Sequence, residues 1–122
     1  MKPSLFERLG GEAAIEAAVV DFYERMMADP SIAPFFEHLD MEAQIKKQIA
    51  FMTMAFGGPN HYTGRDLRTA HAKLVARGLG DAHFDATLRH LGDTLRGLGV
   101  DEATTAEVLA IVDGTRTDVL DR

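Results

Sequence analysis

The chain contains no cysteine in 122 residues. That excludes disulfides, thiolate metal sites and a cysteine nucleophile, and it fits a reducing compartment. Basic charge is also scarce, with 13 Lys and Arg against 19 Asp and Glu and a net charge of −6. An acidic surface repels nucleic acid and anionic lipid, so neither is expected as a partner. After Met1-Lys2-Pro3 an amphipathic pattern begins at once, with no apolar run suited to a signal peptide or membrane helix. The expectation is a soluble, cytoplasmic protein without membrane insertion. No glutamate stands three residues before any of the five histidines, so the paired Glu-x-x-His motifs of a di-iron bundle are missing. The glycine pairs read as helix breaks and form no phosphate loop. Period-two alternation over strand length is lacking as well, which leaves an all-α chain.

What is present is helical periodicity, in a chain long enough for one domain over residues 1–122. Ser4-Leu5-Phe6-Glu7 has the spacing of a capping box and predicts a short helix to about Leu9, broken by Gly10-Gly11. Ile15, Val19, Phe22/Tyr23 and Met26 mark a helix from Glu12 to about Ala28, stopped by Asp29-Pro30. Pro34-Phe35-Phe36 predicts a turn with two aromatics, one lining the interior and the other packing behind it. Asp40 can cap a helix from Met41 to about Phe56, with Gln44, Gln48, Phe51, Met52 and Ala55 inward. Gly57-Gly58-Pro59 ends it, and residues 60–64 form a loop. Asp81 is expected to cap a helix whose apolar face is Phe84, Leu88, Leu91, Leu95 and Leu98, closed by Gly99. Asp101 starts the last helix, with Val108, Ile111/Val112, Thr115 and Val119 facing in.

Between the Asn60–Gly64 loop and Asp81 runs the stretch on which the functional reading turns. Leu67, Leu74 and Val75 share a helical stripe with His71, which puts a coordinating imidazole where core should be. Tyr23, Gln44 and Gln48 also fall on inward stripes. Singly, each has a plain structural reading: a tyrosine bonded to a carbonyl, an amide pair bonded to itself or to water, a satisfied core histidine. Together they suggest a cavity with histidine entering from one side and tyrosine and two glutamines from the other. Phe35, Phe36, Phe51, Leu67 and Phe84 would supply apolar walls. A planar, iron-bearing macrocycle needs such a set: one axial imidazole, aromatic packing on its faces, and hydrogen-bond donors over the open position. Residues 41 to 80 hold six cations against two carboxylates, a local +4 that leaves −10 for the rest. Lys47, Tyr62, Arg65 and Arg68 in that segment could receive the two carboxylates of haem.

Leu9-Gly10-Gly11, Asp21-Phe22-Tyr23, Pro34-Phe35-Phe36, Gly57-Gly58-Pro59, Tyr62-Thr63-Gly64 and Ala70-His71 occur in order and at separations that resemble the group I truncated haemoglobins, over nearly the whole chain. The resemblance implies a two-over-two helical sandwich around haem b. It implies His71 as the proximal iron ligand, Tyr23 as the main distal donor, and Gln44 and Gln48 as its partners. Phe36 matches an aromatic at the haem edge, and Lys47 a position from which a basic side chain reaches a propionate. Some members carry there a histidine that can bind iron, so Lys47, once deprotonated, is a candidate ligand in the gas-free state. The Lys73 to Gly80 interval resembles a subset with an extended Leu-Val-x-x-Gly-Leu segment, which implies a longer proximal helix.

Three functions are compatible with these residues. The first is reversible binding of dioxygen and other diatomics, carbon monoxide and nitric oxide, at ferrous iron. The second is nitric oxide dioxygenation, which needs a reductase and a route for gas. Ala50, Met52, Met54 and Ala55 could line that route, although core filling is their plainer role. The third is a cofactor-free helical interaction module. Of the other histidines, His38, His83 and His90 are expected to be solvated, and His61 could assist at the propionates.

Overall fold

A computed structural model describes residues 4–37, 39–57 and 75–120 of the chain, with nothing described for the side chain of Asp118. Ser4 opens the first helix, α1 (Leu5–Leu9), by accepting a hydrogen bond from the Glu7 N–H at 3.2 Å. Gly10 then turns the chain with a φ of +114°, and a Cβ there would sit 2.9 Å from that of Ala14, so no other residue fits without displacement. The second helix, α2 (Glu12–Met27), buries Ile15, Val19, Phe22, Tyr23 and Met26, the stripe its periodicity predicts. A 3₁₀ turn follows over Ala33–Phe36. Asp40 caps α3 (Met41–Ala55), accepting from the N–H groups of Glu42 and Ala43 at 3.1 and 3.3 Å. Beyond it Gly57 adopts a φ of +87°.

The next described helix, α4, spans Asp81–Gly97 and corrects one expected cap. Gly80, not Asp81, is the capping residue, and its N–H donates to Nδ1 of His83 at 3.1 Å. Asp81 instead accepts from Arg116 at 2.9 Å. A second correction concerns Leu98, which is 51% exposed, because the inward stripe ends at Leu95 and Gly99 turns the chain with a φ of +86°. Asp101 caps α5 (Glu102–Asp113), accepting from Thr104 N–H at 3.3 Å. This last helix does not continue to Val119: it stops at Gly114, and a separate turn, α6 (Arg116–Val119), completes the described chain. Val112 takes the inward position and leaves Ile111 38% exposed, since neighbouring helical residues diverge by about 100°.

All regular elements among the described residues are helical. α2 pairs with α3, α4 pairs with α5, and α2 also packs on α4, so the two pairs form one body; α1 touches α2 and α5. The common core holds Val19 and Val108 at 0% exposure and Leu91 at 1%. Full burial of such a side chain stabilises by about 1.5–3 kcal/mol. Arg116 fastens the end of the chain to the start of α4, donating to Asp81, Asp85 and Asp113 at 2.6 to 2.9 Å and lying 4.6 Å over the Phe84 ring. The three aspartates, Asp85 foremost, hold its guanidinium well above the ordinary arginine range.

Candidate functional site

The α2–α3 contact brings the predicted polar residues together. The Tyr23 hydroxyl accepts a hydrogen bond from Gln44 Nε2 at 3.2 Å and donates to Gln48 Oε1 at 3.4 Å. Gln44 and Gln48 are four residues apart on α3, so both face the same tyrosine across the interface. Tyr23 is only 5% exposed, while both amides are half-buried. Burial pushes the phenol up to about 12, against the opposing hydrogen bond from Gln44, so the hydroxyl keeps its proton at neutral pH. Its contact with Gln48 is long for an O–H donor, so turning that proton elsewhere costs little.

Aromatic side chains border this group. Phe36 meets Tyr23 edge-on, with centroids 5.6 Å apart and planes at 86°, and Phe22 lies 5.3 Å from the same ring. Phe51 is buried on α3, three residues beyond Gln48. The two adjacent aromatics part as expected: Phe36 packs on Tyr23, whereas Phe35 packs on His83 with centroids 4.9 Å apart. Phe84 is buried, with one face against Arg116. Lys47 is exposed on α3. Tyr62, Leu67 and His71 lie outside the described residues, as do His38 and His61. Val75 and Ala76 are helical, and the chain turns at Gly78, whose φ is +103°.

Two expectations for the minor histidines are overturned. His90 is not solvated: its side chain is 15% exposed and its Nε2 lies 2.7 Å from Asp29 Oδ2. His83 is half-buried between the Gly80 N–H and Phe35. Asp29 itself carries more than its role as a helix stop suggests. His90 and the Ser31 hydroxyl and amide hold its carboxyl down at about 2. The Asp-Pro-Ser order is a readable signal for the Ser31 contact, because an aspartate commonly bonds the backbone two residues on.

A partly open, mainly apolar pocket of about 200 Å³ lies where the helix pairs meet, lined by residues that include Leu9, Ile15, Ala18, Met52, Leu95 and Val108. Of the four residues considered for a gas route, Met52 lines it.

The bacterial-like globin family matches residues 4–121. The group 1 truncated haemoglobin of Chlamydomonas moewusii is 49% identical over 96% of this chain and 68% of its own length. The group 1 protein of Synechocystis is 44% identical over 98% of both. The chain belongs to the group 1 truncated haemoglobins. Its architecture agrees, since the 2/2 haemoglobin of Synechococcus, in the cyanomet state with covalently attached haem, superposes with a TM-score of 0.93 at 45% identity, covering 98% of this chain and all of that one. The ferric truncated haemoglobin of Tetrahymena pyriformis superposes with a TM-score of 0.89 at 42% identity, covering 97% of this chain and 98% of that one.

This globin therefore has the two-over-two fold, and haem iron is its cofactor. The described residues suit a haem. The Tyr23 hydroxyl is anchored by Gln44 yet has a proton to redirect, and it sits beside the aromatic Phe36 in the kind of apolar surroundings that a porphyrin requires. None of the helices among the described residues is long and apolar enough to cross a membrane.

Proposed function

We propose that this globin reversibly binds dioxygen and related diatomic gases, with His71 as the iron ligand and Tyr23 as the donor that stabilises the bound gas. Haem supplies ferrous iron with one open coordination position. The observation that carries the reading is the buried Tyr23 hydroxyl held between Gln44 and Gln48. Gln44 donates to the phenol oxygen, which polarises the O–H bond and makes it a better donor. By releasing Gln48, the hydroxyl can bond a ligand that has gathered partial negative charge. Dioxygen gathers such charge on ferrous iron and carbon monoxide gathers little, so Tyr23 favours the first. Phe35, Phe36, Phe51, Leu67 and Phe84 provide apolar contact with the macrocycle, and Lys47 and Tyr62 reach its carboxylates. The mainly apolar lining of the pocket favours a small, uncharged ligand over a polar one.

Absorption spectroscopy tests the assignment. Hemin added to the protein is expected to give a sharp Soret band, and His71→Ala to alter the bands that report axial ligation. No band, or a spectrum indifferent to His71→Ala, overturns it.

A further inference from the structure

His83 and His90 stand seven residues apart on α4, about two helical turns, and so share one face. That face meets the segment joining α2 to α3 at two points. At the first, His90 Nε2 lies 2.7 Å from Asp29 Oδ2, with the two side chains 15% and 14% exposed. The other carboxylate oxygen accepts from the Ser31 N–H at 2.9 Å and the Ser31 hydroxyl at 2.7 Å. The Asp29 carbonyl accepts from the N–H groups of Ile32 and Ala33. Asp29 is thus held by α4 and in turn fixes the first turn of the segment. At the second point, in the 3₁₀ turn, the Gly80 N–H fixes the His83 ring, which meets Phe35 at 4.9 Å and 73°. Arg77 holds the same turn, donating to the Pro34 carbonyl at 3.0 Å and lying 5.7 Å over the Phe35 ring. Ile32, 2% exposed, lies between these anchors, and Phe36, edge-on to Tyr23, directly follows the second.

A single 3₁₀ turn has poor hydrogen-bond geometry and little stability of its own, so its orientation depends on what it is tied to. Arg89 also approaches Asp29, at 3.9 Å, but is 65% exposed and cannot match a half-buried hydrogen bond. Arg25 and Asp93 line the same shallow cleft, and Arg25 is already committed to Asp21 at 2.9 Å.

We propose that His90, acting through Asp29, and His83, acting through Phe35, are positioning residues that hold Phe36 against Tyr23 and so keep water from the Tyr23 hydroxyl. The consequence for gas retention rests on the function proposed above; the positioning itself does not.

The ionisation of Tyr23 reads this directly, because burial is what raises it to about 12. In haem-loaded protein carrying tyrosine labelled with carbon-13 at Cζ, the chemical shift follows each phenol through its titration. Tyr62→Phe identifies which of the two tyrosine signals belongs to Tyr23. His90→Leu is expected to strengthen Tyr23 as an acid by about tenfold or more, returning it toward the ordinary value of about 10. His90→Gln, which keeps a nitrogen donor for Asp29, restores it, and His83→Leu shifts it in the same direction as His90→Leu. If His90→Leu does not fold, Asp29→Asn probes the same contact from its other partner. A Tyr23 titration left at about 12 in the folded His90 or Asp29 variant and in His83→Leu overturns the proposal, as does a lowered Tm with that titration unmoved. Gas release plays no part in this readout. An unmoved titration leaves the gas-binding reading intact, and a moved one alongside unchanged dioxygen release in Tyr23→Phe keeps the positioning and removes the function.

Discussion

Replacing Tyr23 with phenylalanine deletes one oxygen and little else. The ring packing against Phe36 at 5.6 Å and Phe22 at 5.3 Å involves ring faces and edges that phenylalanine retains, so the walls of the site keep their shape. The loss is the bond from Gln44 at 3.2 Å and the weaker one to Gln48 at 3.4 Å. Both amides are half-buried and can bond water instead, so the change costs the fold about 0.5–1.5 kcal/mol for each of the two bonds, less for the longer one to Gln48. The effect on bound gas is larger. A hydrogen bond to a partner that carries charge contributes about 1.5–2 kcal/mol at the low end of its range, which corresponds to about 10- to 30-fold faster dioxygen release. Carbon monoxide release is expected to change less than about threefold, since little charge reaches the hydroxyl. Stopped-flow displacement of each gas, parent against Tyr23→Phe, measures both rates. Unchanged dioxygen release, or equal acceleration for the two gases, refutes the role given to Tyr23.

The remaining expectations concern stability. Asp29 is held at about 2 against an ordinary 3.8, so its contribution is complete above about pH 4 and is lost as the pH falls through about 2. Urea midpoints of Asp29→Asn and the parent protein should therefore differ near neutral pH and converge in acid; a difference that persists unchanged at pH 2 contradicts the arrangement. Leu91→Ala empties a site that is 1% exposed between α4 and its neighbours, and is expected to cost about 2–5 kcal/mol in chemical denaturation. A cost under about 1 kcal/mol would show that the surrounding helices collapse into the space.

The caps at Ser4, Asp40 and Asp101 were legible because each bonds a backbone amide two or three residues ahead, a contact that local order dictates. Tyr23, Gln44 and Gln48 were legible as a set because helical periodicity places each on an inward stripe. Which atom donates to which was not, since periodicity gives a face and says nothing of the element opposite. The errors have the same origin. His90 finds Asp29 61 residues away, and Arg116 reaches Asp81 across 35, and neither pairing has a trace in spacing. Asp81 looked like a cap on local grounds alone, but distant Arg116 claims its carboxylate while His83 serves the Gly80 amide. His71, Leu67 and Tyr62, proposed above for the haem site, lie outside the described residues; the helical stripe and the sequence resemblance are what point to them.

The cavity among Leu9, Ile15, Met52 and Val108 has a mechanical consequence. Atoms lining a void lack partners on one side and forgo dispersion attraction, so the molecule keeps this volume open at a cost in cohesion. Unfolding hydrates these atoms and shrinks the system, so hydrostatic pressure acts on this site as a denaturant.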